Sequence, residues 1–254
     1  MKLGAQLYSV RSYMQNPEDL RRTFHRIREI GYENVQLSGA APTPAEILRD
    51  VSEETGLEIV CTHSPLDRIL NDTDALIREH KTFGCSVIGL GAMPKELRGS
   101  LEGMEEFLRQ LDEPVRKIRE AGLAFAYHNH AFEFVKPDPD ASVTLYDLML
   151  ERLPDWNFIM DTYWVEFAGY SATDYISKIG SKRLPNIHFK DLAKNEERSI
   201  CACGDGVLDF GRIYEVCRAN GIQNVLVEQD NADRDGKAFD EMERSFRHLR
   251  PIIG

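Results

Sequence analysis

The sequence predicts an α/β protein built as a single (β/α)8 barrel, and three observations lead there. The chain has 254 residues, close to the roughly 250 typical of such a barrel. A unit of amphipathic helix, glycine and short apolar strand recurs along it. Eight apolar strand segments can be counted, and no Gly-rich dinucleotide turn follows the first; Tyr8-Ser9-Val10-Arg11 stands there instead. No linker or low-complexity segment divides the chain, so residues 1–254 read as one domain. The Pro-rich patch at 136–140 is only long enough for a loop.

Each element follows in order. The first strand runs from Leu3 to Tyr8. A helix is expected over Pro17 to Ile30, with Asn16 as N-cap and Pro17 at the first helical position. Gly31 then precedes strand two, Tyr32 to Leu37. Gly56 precedes Leu57 to Cys61, and Gly84 precedes Cys85 to Leu90. The helical pattern from Leu101 to Ala121 leads through Gly122 into Leu123 to Tyr127. Strands six and seven, Trp156 to Met160 and Leu184 to Phe189, lack the glycine. A further helical pattern, Gly211 to Asn220, leads through Gly221 into Ile222 to Val227. Glycine suits those positions because a helix often ends on a left-handed residue. Alternating strands and helices imply a parallel sheet with right-handed crossovers. Eight units favour closure, since an open sheet would expose two edges; a doubly wound sheet is the alternative.

Composition narrows the partners. A formal net charge of −11 argues against a nucleic-acid backbone, which needs clustered Lys and Arg, and the acidic excess reads as solvated helix surface. No apolar run is long enough to span a bilayer, so no membrane partner is expected. The N-terminus passes directly into strand one without a leader, and the five cysteines are odd in number. Both features point to reduced thiols and a cytoplasmic location. A homo-oligomer is left open.

Functional residues of a parallel barrel gather at strand C-termini. Strand five ends in Tyr127-His128-Asn129-His130-Ala131-Phe132-Glu133-Phe134, strand six in Asp161-Thr162-Tyr163-Trp164, strand seven in His188-Phe189-Lys190-Asp191, and strand eight in Glu228-Gln229-Asp230. Four consecutive strand ends therefore present Glu or His, then Asp, His and Glu. One such residue alone would be a core histidine or a helix cap. Together they suit one divalent cation: Mn2+ foremost, with Mg2+, Co2+ or Zn2+ as alternatives.

These segments, with Gly204-Asp205-Gly206-Val207-Leu208-Asp209-Phe210 and the opening Gly4-Ala5-Gln6-Leu7-Tyr8-Ser9, resemble the sugar phosphate isomerase/epimerase family, whose fold is a xylose isomerase-like TIM barrel. The resemblance covers nearly the whole chain and is specific for the family, not for a substrate. It implies metal ligation by Asp161, His188 and Glu228. Many relatives carry Glu where this chain has His128, so the fourth ligand is Glu133 or His128. Glu133 is favoured, with His128 or His130 as acid/base. Many relatives also have Glu where Gln36 stands.

The activity implied is a sugar isomerase or epimerase acting on a sugar or keto-sugar. The metal would polarise the ketone, and Glu228, His128 or His130 would move the α-proton through an enediolate. Departure of a β-leaving group would instead make a lyase or dehydratase on a 3-keto-sugar or glycoside. An endonuclease acting at abasic sites and a non-catalytic sugar-binding barrel are the further rivals. No Arg cluster for phosphate is visible, which favours a non-phosphorylated or 3-keto sugar.

The remaining candidates have plainer readings too. Lys190 is an electrophile facing the substrate oxyanion or a surface lysine paired with Asp191. His63 contacts substrate at the mouth or bonds a neighbouring loop. Trp164, with Tyr163, stacks on a sugar face or only packs. Cys201 and Cys203 have no second pair at zinc-finger spacing and read as free thiols. Gly204-Asp205-Gly206 reads as a loop over the mouth.

Overall fold

A computed structural model describes the backbone of residues 1–254 and every side chain except that of Asp235. The strands are β1 (Lys2–Gln6), β2 (Asn34–Leu37), β3 (Glu58–Thr62), β4 (Val87–Leu90), β5 (Ala124–His128), β6 (Asn157–Asp161), β7 (Asn186–Phe189), the short β8 (Asp191–Leu192) and β9 (Ile200–Cys201), and β10 (Asn224–Val227). Eight of them form one parallel sheet in the order β3-β2-β1-β10-β7-β6-β5-β4. The two end strands meet where Ser64 N–H donates to Gly89 O at 2.8 Å. Glycine is required at 89, because a Cβ there would stand 2.1 Å from the Thr62 carbonyl oxygen. The sheet is thus a nearly closed (β/α)8 barrel, a TIM barrel. The antiparallel pair β8–β9 is an arm that leaves the top of β7.

The predicted helices lie within a residue of their expected bounds, at Pro17–Ile30, Leu101–Glu120 and Phe210–Ala219. Asn16 caps the first of them by accepting Asp19 N–H at 2.9 Å. The first strand ends at Gln6, two residues earlier than expected. The Gln6 side-chain oxygen accepts Tyr8 N–H and starts a 3-10 turn over Leu7–Tyr13. Among the described residues no helix is long and apolar enough to cross a membrane.

Side-chain parity places the site. Cys61, Val87, Ala126 and Ile159 form a small cluster inside the barrel, apart from the large core under the helices that takes Phe125, Tyr127, Phe158, Met160 and Phe189. Successive strand residues face opposite ways. Two residues beyond Cys61, Ala126 and Ile159 come His63, His128 and Asp161, which therefore face inward at the mouth. Gly4 belongs to the interior as well: an added Cβ would meet Asn34 Oδ1 at 1.8 Å, so glycine lets β1 and β2 approach.

Candidate active site

Four inward side chains meet at the C-terminal mouth: His128 from β5, Asp161 from β6, His188 from β7 and Glu228 just past β10. All are buried, and each offers one ligand atom within 4.8 Å of the others. His128 Nε2 lies 3.4 Å from Asp161 Oδ2 and 3.9 Å from Glu228 Oε2. His188 Nδ1 lies 3.9 Å from Asp161 Oδ2 and 2.9 Å from Glu228 Oε2. Ligand atoms at about 2.1 Å around a tetrahedral cation would stand about 3.4 Å apart, so these spacings fit a metal.

The other atom of each candidate ligand is already engaged. His128 Nδ1 is 3.0 Å from Gly91 O, and His188 Nε2 is 2.5 Å from Gln36 Oε1. Asp161 Oδ1 accepts Trp164 N–H at 3.1 Å and Glu228 Oε1 accepts Gln6 Nε2 at 2.8 Å. Both imidazoles thereby give a proton to a carbonyl-type oxygen and turn a lone pair inward, as metal-binding histidines do. Asp161 is at once a helix cap, for Thr162–Phe167, and a member of the cluster.

Burial governs the charges. It pushes His128 and His188 down to about 3, with His188 and Lys190 respectively adding repulsion, so both rings are neutral. Burial also raises Asp161 to about 6, against the pull of Lys190. Two neutral rings and two carboxylates crowded together call for a cation. Lys190 meets part of that demand: its Nζ stands 3.5 Å from Asp161 Oδ2, 3.5 Å from Glu228 Oε2 and 2.6 Å from Asp230 Oδ2. Burial alone would lower the Lys190 pKa; the carboxylates of Glu228, Asp161 and Asp230 outweigh it and keep the ammonium charged.

Lys190 is therefore neither a surface residue nor the partner of Asp191. Asp191 instead accepts the N–H groups of Gly204, Gly206 and Leu208 at 2.8, 3.0 and 3.1 Å. Those bonds pin the Gly204-Asp205-Gly206 segment, where a Cβ on Gly204 would strike the His248 ring at 2.3 Å. The segment packs against Asp191 and the C-terminal helix rather than over the mouth, contrary to expectation.

Glu133 does not join the cluster, and this corrects the favoured fourth position. The chain leaves β5 through a 3-10 turn, Ala131–Phe134. The turn carries Glu133 to the outer face of the strand, beside Tyr127. There its carboxylate accepts Tyr127 Oη–H at 2.5 Å and His130 N–H at 2.8 Å. Burial raises it to about 8, with those two donors opposing. His128, by strand parity, occupies the fourth place.

Around the cluster lies a cleft of about 570 Å³ bordered by Gln6, Tyr8, His63, His130 and Lys190. The His63 and His130 rings stand 5.1 and 4.9 Å from His128. Burial lowers both pKa values well below the ordinary histidine range, so the rings are neutral. His63 Nε2, His130 Nδ1 and Trp164 Nε1 are buried without a hydrogen-bond partner. Such orphaned atoms are costly unless a ligand meets them. Trp164 lies against His130, with centroids 5.1 Å apart. Sequence reasoning missed Gln6 and Asp230. Gln6 was placed inside strand one, which was expected to run on to Tyr8, and Asp230, two residues after Glu228, gives no signal without its partner. All five cysteines are free thiols.

The family model described as xylose isomerase-like TIM barrel matches residues 24–252. The chain belongs to that family. Among solved structures, this xylose isomerase-like barrel is similar to a sugar phosphate isomerase/epimerase from Parabacteroides distasonis ATCC 8503, at 21% identity over 100% of both chains with a TM-score of 0.79. It also resembles an L-ribulose 3-epimerase, at 12% identity over 99% of this chain and 94% of that one, TM-score 0.75. A third neighbour is the IOLI protein with a binding zinc atom, at 11% identity over 100% and 98% of the two chains, TM-score 0.70. At these identities the likeness concerns the fold. The comparison with curated proteins returned no match.

Proposed function

We propose that this xylose isomerase-like barrel is a metal-dependent sugar isomerase or epimerase that moves a proton next to a carbonyl of a keto-sugar. The observation that carries the reading is the four-residue cluster of His128, Asp161, His188 and Glu228 at the barrel mouth, ringed by buried polar atoms that lack partners. A divalent ion held by those four residues would supply Lewis acidity toward the substrate's carbonyl. His130 is the acid/base: its ring is neutral, borders the cleft and has Nδ1 unsatisfied. A neutral imidazole accepts the α-proton and can return it. Lys190 holds a fixed positive charge beside the carboxylates and favours negative charge developing on substrate oxygen. His63 Nε2 and Trp164 Nε1 orient hydroxyl groups.

Solvent-deuterium exchange into a panel of keto-sugars, with Mn2+ present, tests the reading. Incorporation of deuterium next to the carbonyl is expected. His130→Gln should slow it by about 10²–10⁴-fold while metal stays bound. Metal-loaded protein that exchanges no proton of any keto-sugar would sink the proposal.

A further inference from the structure

Among the described residues that line the cleft, Arg11, on the turn after β1, is a charged side chain with no part in the proposed proton transfer. Its Nη1 donates to the carbonyl oxygens of Tyr8 and Asp230 at 2.8 and 3.1 Å, and its Cζ lies 4.1 Å over the Tyr8 ring. These contacts fix the guanidinium where the loops after β1 and β10 meet. Gly39, at φ +72, makes room for it: an added Cβ would stand 2.9 Å from Arg11 Cβ and 3.0 Å from the Tyr8 ring.

Among the described side chains Arg11 has no carboxylate partner within 4.0 Å, and its Nε and Nη2 make no hydrogen bond. The nearby Asp230 carboxylate is taken by Lys190. Arg11 and Asp230 border two cavities at once, the cleft of about 570 Å³ and a neighbouring pocket of about 450 Å³. That second pocket adds Arg234 and Asp233, and on its wall the buried, unpartnered Asn231 Oδ1 is an acceptor suited to a sugar hydroxyl. Among the described side chains Arg11 and Arg234 face this pocket with Asp233, while Lys190 stands 2.6 Å from Asp230, so the pocket suits an occupant that carries an anionic group beside its hydroxyls.

We infer that Arg11 binds an anionic group of the substrate, a carboxylate or a phosphate monoester, where the two cavities join. A planar guanidinium held by backbone on one edge and free on the other matches two oxygens of such a group. The inference rests on the keto-sugar reading and narrows it to charged keto-sugars. A phosphate there would replace the preference for a non-phosphorylated or 3-keto sugar drawn from the lack of an Arg cluster: one arginine, anchored by Tyr8 and Asp230 from opposite ends of the chain, gives no cluster in sequence.

Calorimetric titration of metal-loaded protein with fructose, fructose 6-phosphate and fructuronate tests it, because binding is read separately from catalysis. The wild-type protein should bind one anionic sugar at least about 10-fold more tightly than fructose, with the advantage shrinking as salt rises. The arm that shows it tells phosphate from carboxylate. Arg11→Gln should bring the ratio of anionic-sugar to fructose affinity close to one, and Arg11→Lys should keep part of the preference. No anionic preference in the wild type, including no binding of any of the three, overturns the inference, as does a preference that survives in Arg11→Gln. Failure of deuterium exchange with every keto-sugar would instead strike the isomerase reading, whatever the anion preference.

Discussion

The two halves of the barrel mouth divide their labour. β5, β6, β7 and β10 deliver every member of the candidate ligand set, two imidazoles and two carboxylates. Against the cluster itself the tops of β1, β2 and β4 set only neutral groups, the Gln6 and Gln36 amides and the Gly91 carbonyl, and these hold three of the four candidate ligands in orientation. Gln36 shows why neutrality matters. A carboxylate in its place would add a third negative charge to a buried cluster in which Asp161 is already raised to about 6. An amide orients His188 without that penalty. One half concentrates charge for a cation, and the other supplies the outer partners that aim it.

The sharpest way to break this comparison is Asp161→Asn. Loss of a carboxylate from the ligand-bearing half should weaken metal binding by more than about 100-fold, beyond what an outer partner is worth, and abolish deuterium exchange. The fold should survive, because Asn is as good an N-cap as Asp for the Thr162–Phe167 helix. Chelator competition and thermal unfolding together check it; unfolding with normal metal affinity would make Asp161 a structural cap alone.

A smaller effect is expected from the neutral half. Gln36→Leu removes the acceptor 2.5 Å from His188 Nε2 and frees the ring to rotate or change tautomer. Metal affinity should fall by about 10–100-fold with the ligand set intact. Unchanged affinity in the same chelator assay would reduce Gln36 to a lining residue and dissolve the division of labour.

Smallest of all for the metal is Glu133→Gln, which sharpens the comparison by showing that not every acid of the ligand-bearing half serves the cluster. Metal affinity should be unchanged; a large loss would restore Glu133 as a ligand. Stability should still respond to pH. The folded pKa of Glu133 is raised to about 8 from 4.5, so its contribution is fully present below 4.5 and is lost as pH rises toward 8. Between pH 6.5 and 8 the wild-type protein should lose up to about 1.4 kcal/mol per pH unit from this group, and the variant should show a flatter profile in denaturant titrations.

Much of this architecture is legible in the residues alone. Glycine before an apolar strand marks five of the eight strands, apolar runs mark the others, and period-two alternation puts His128, Asp161 and His188 on the inward face once the strand ends are located. Local chemistry carries that information, since helix caps and strand faces depend on neighbours a few residues apart. Where a side chain goes after its strand ends depends on contacts that no local pattern encodes. Glu133 turned outward because the 3-10 turn brings it to Tyr127 Oη. Lys190 became a buried cation because Glu228 and Asp230, just past β10, and Asp161 of β6 are brought beside it. Gln6 and Gln36 acquired their roles from Glu228 and His188, which lie 222 and 152 residues away along the chain. The position of each strand and the alternation of its faces are properties of short segments, and the sequence alone determined them. The fourth position of the cluster, the charge on Lys190 and the placing of Arg11 required closure of the barrel, because the groups that set them come from opposite ends of the chain.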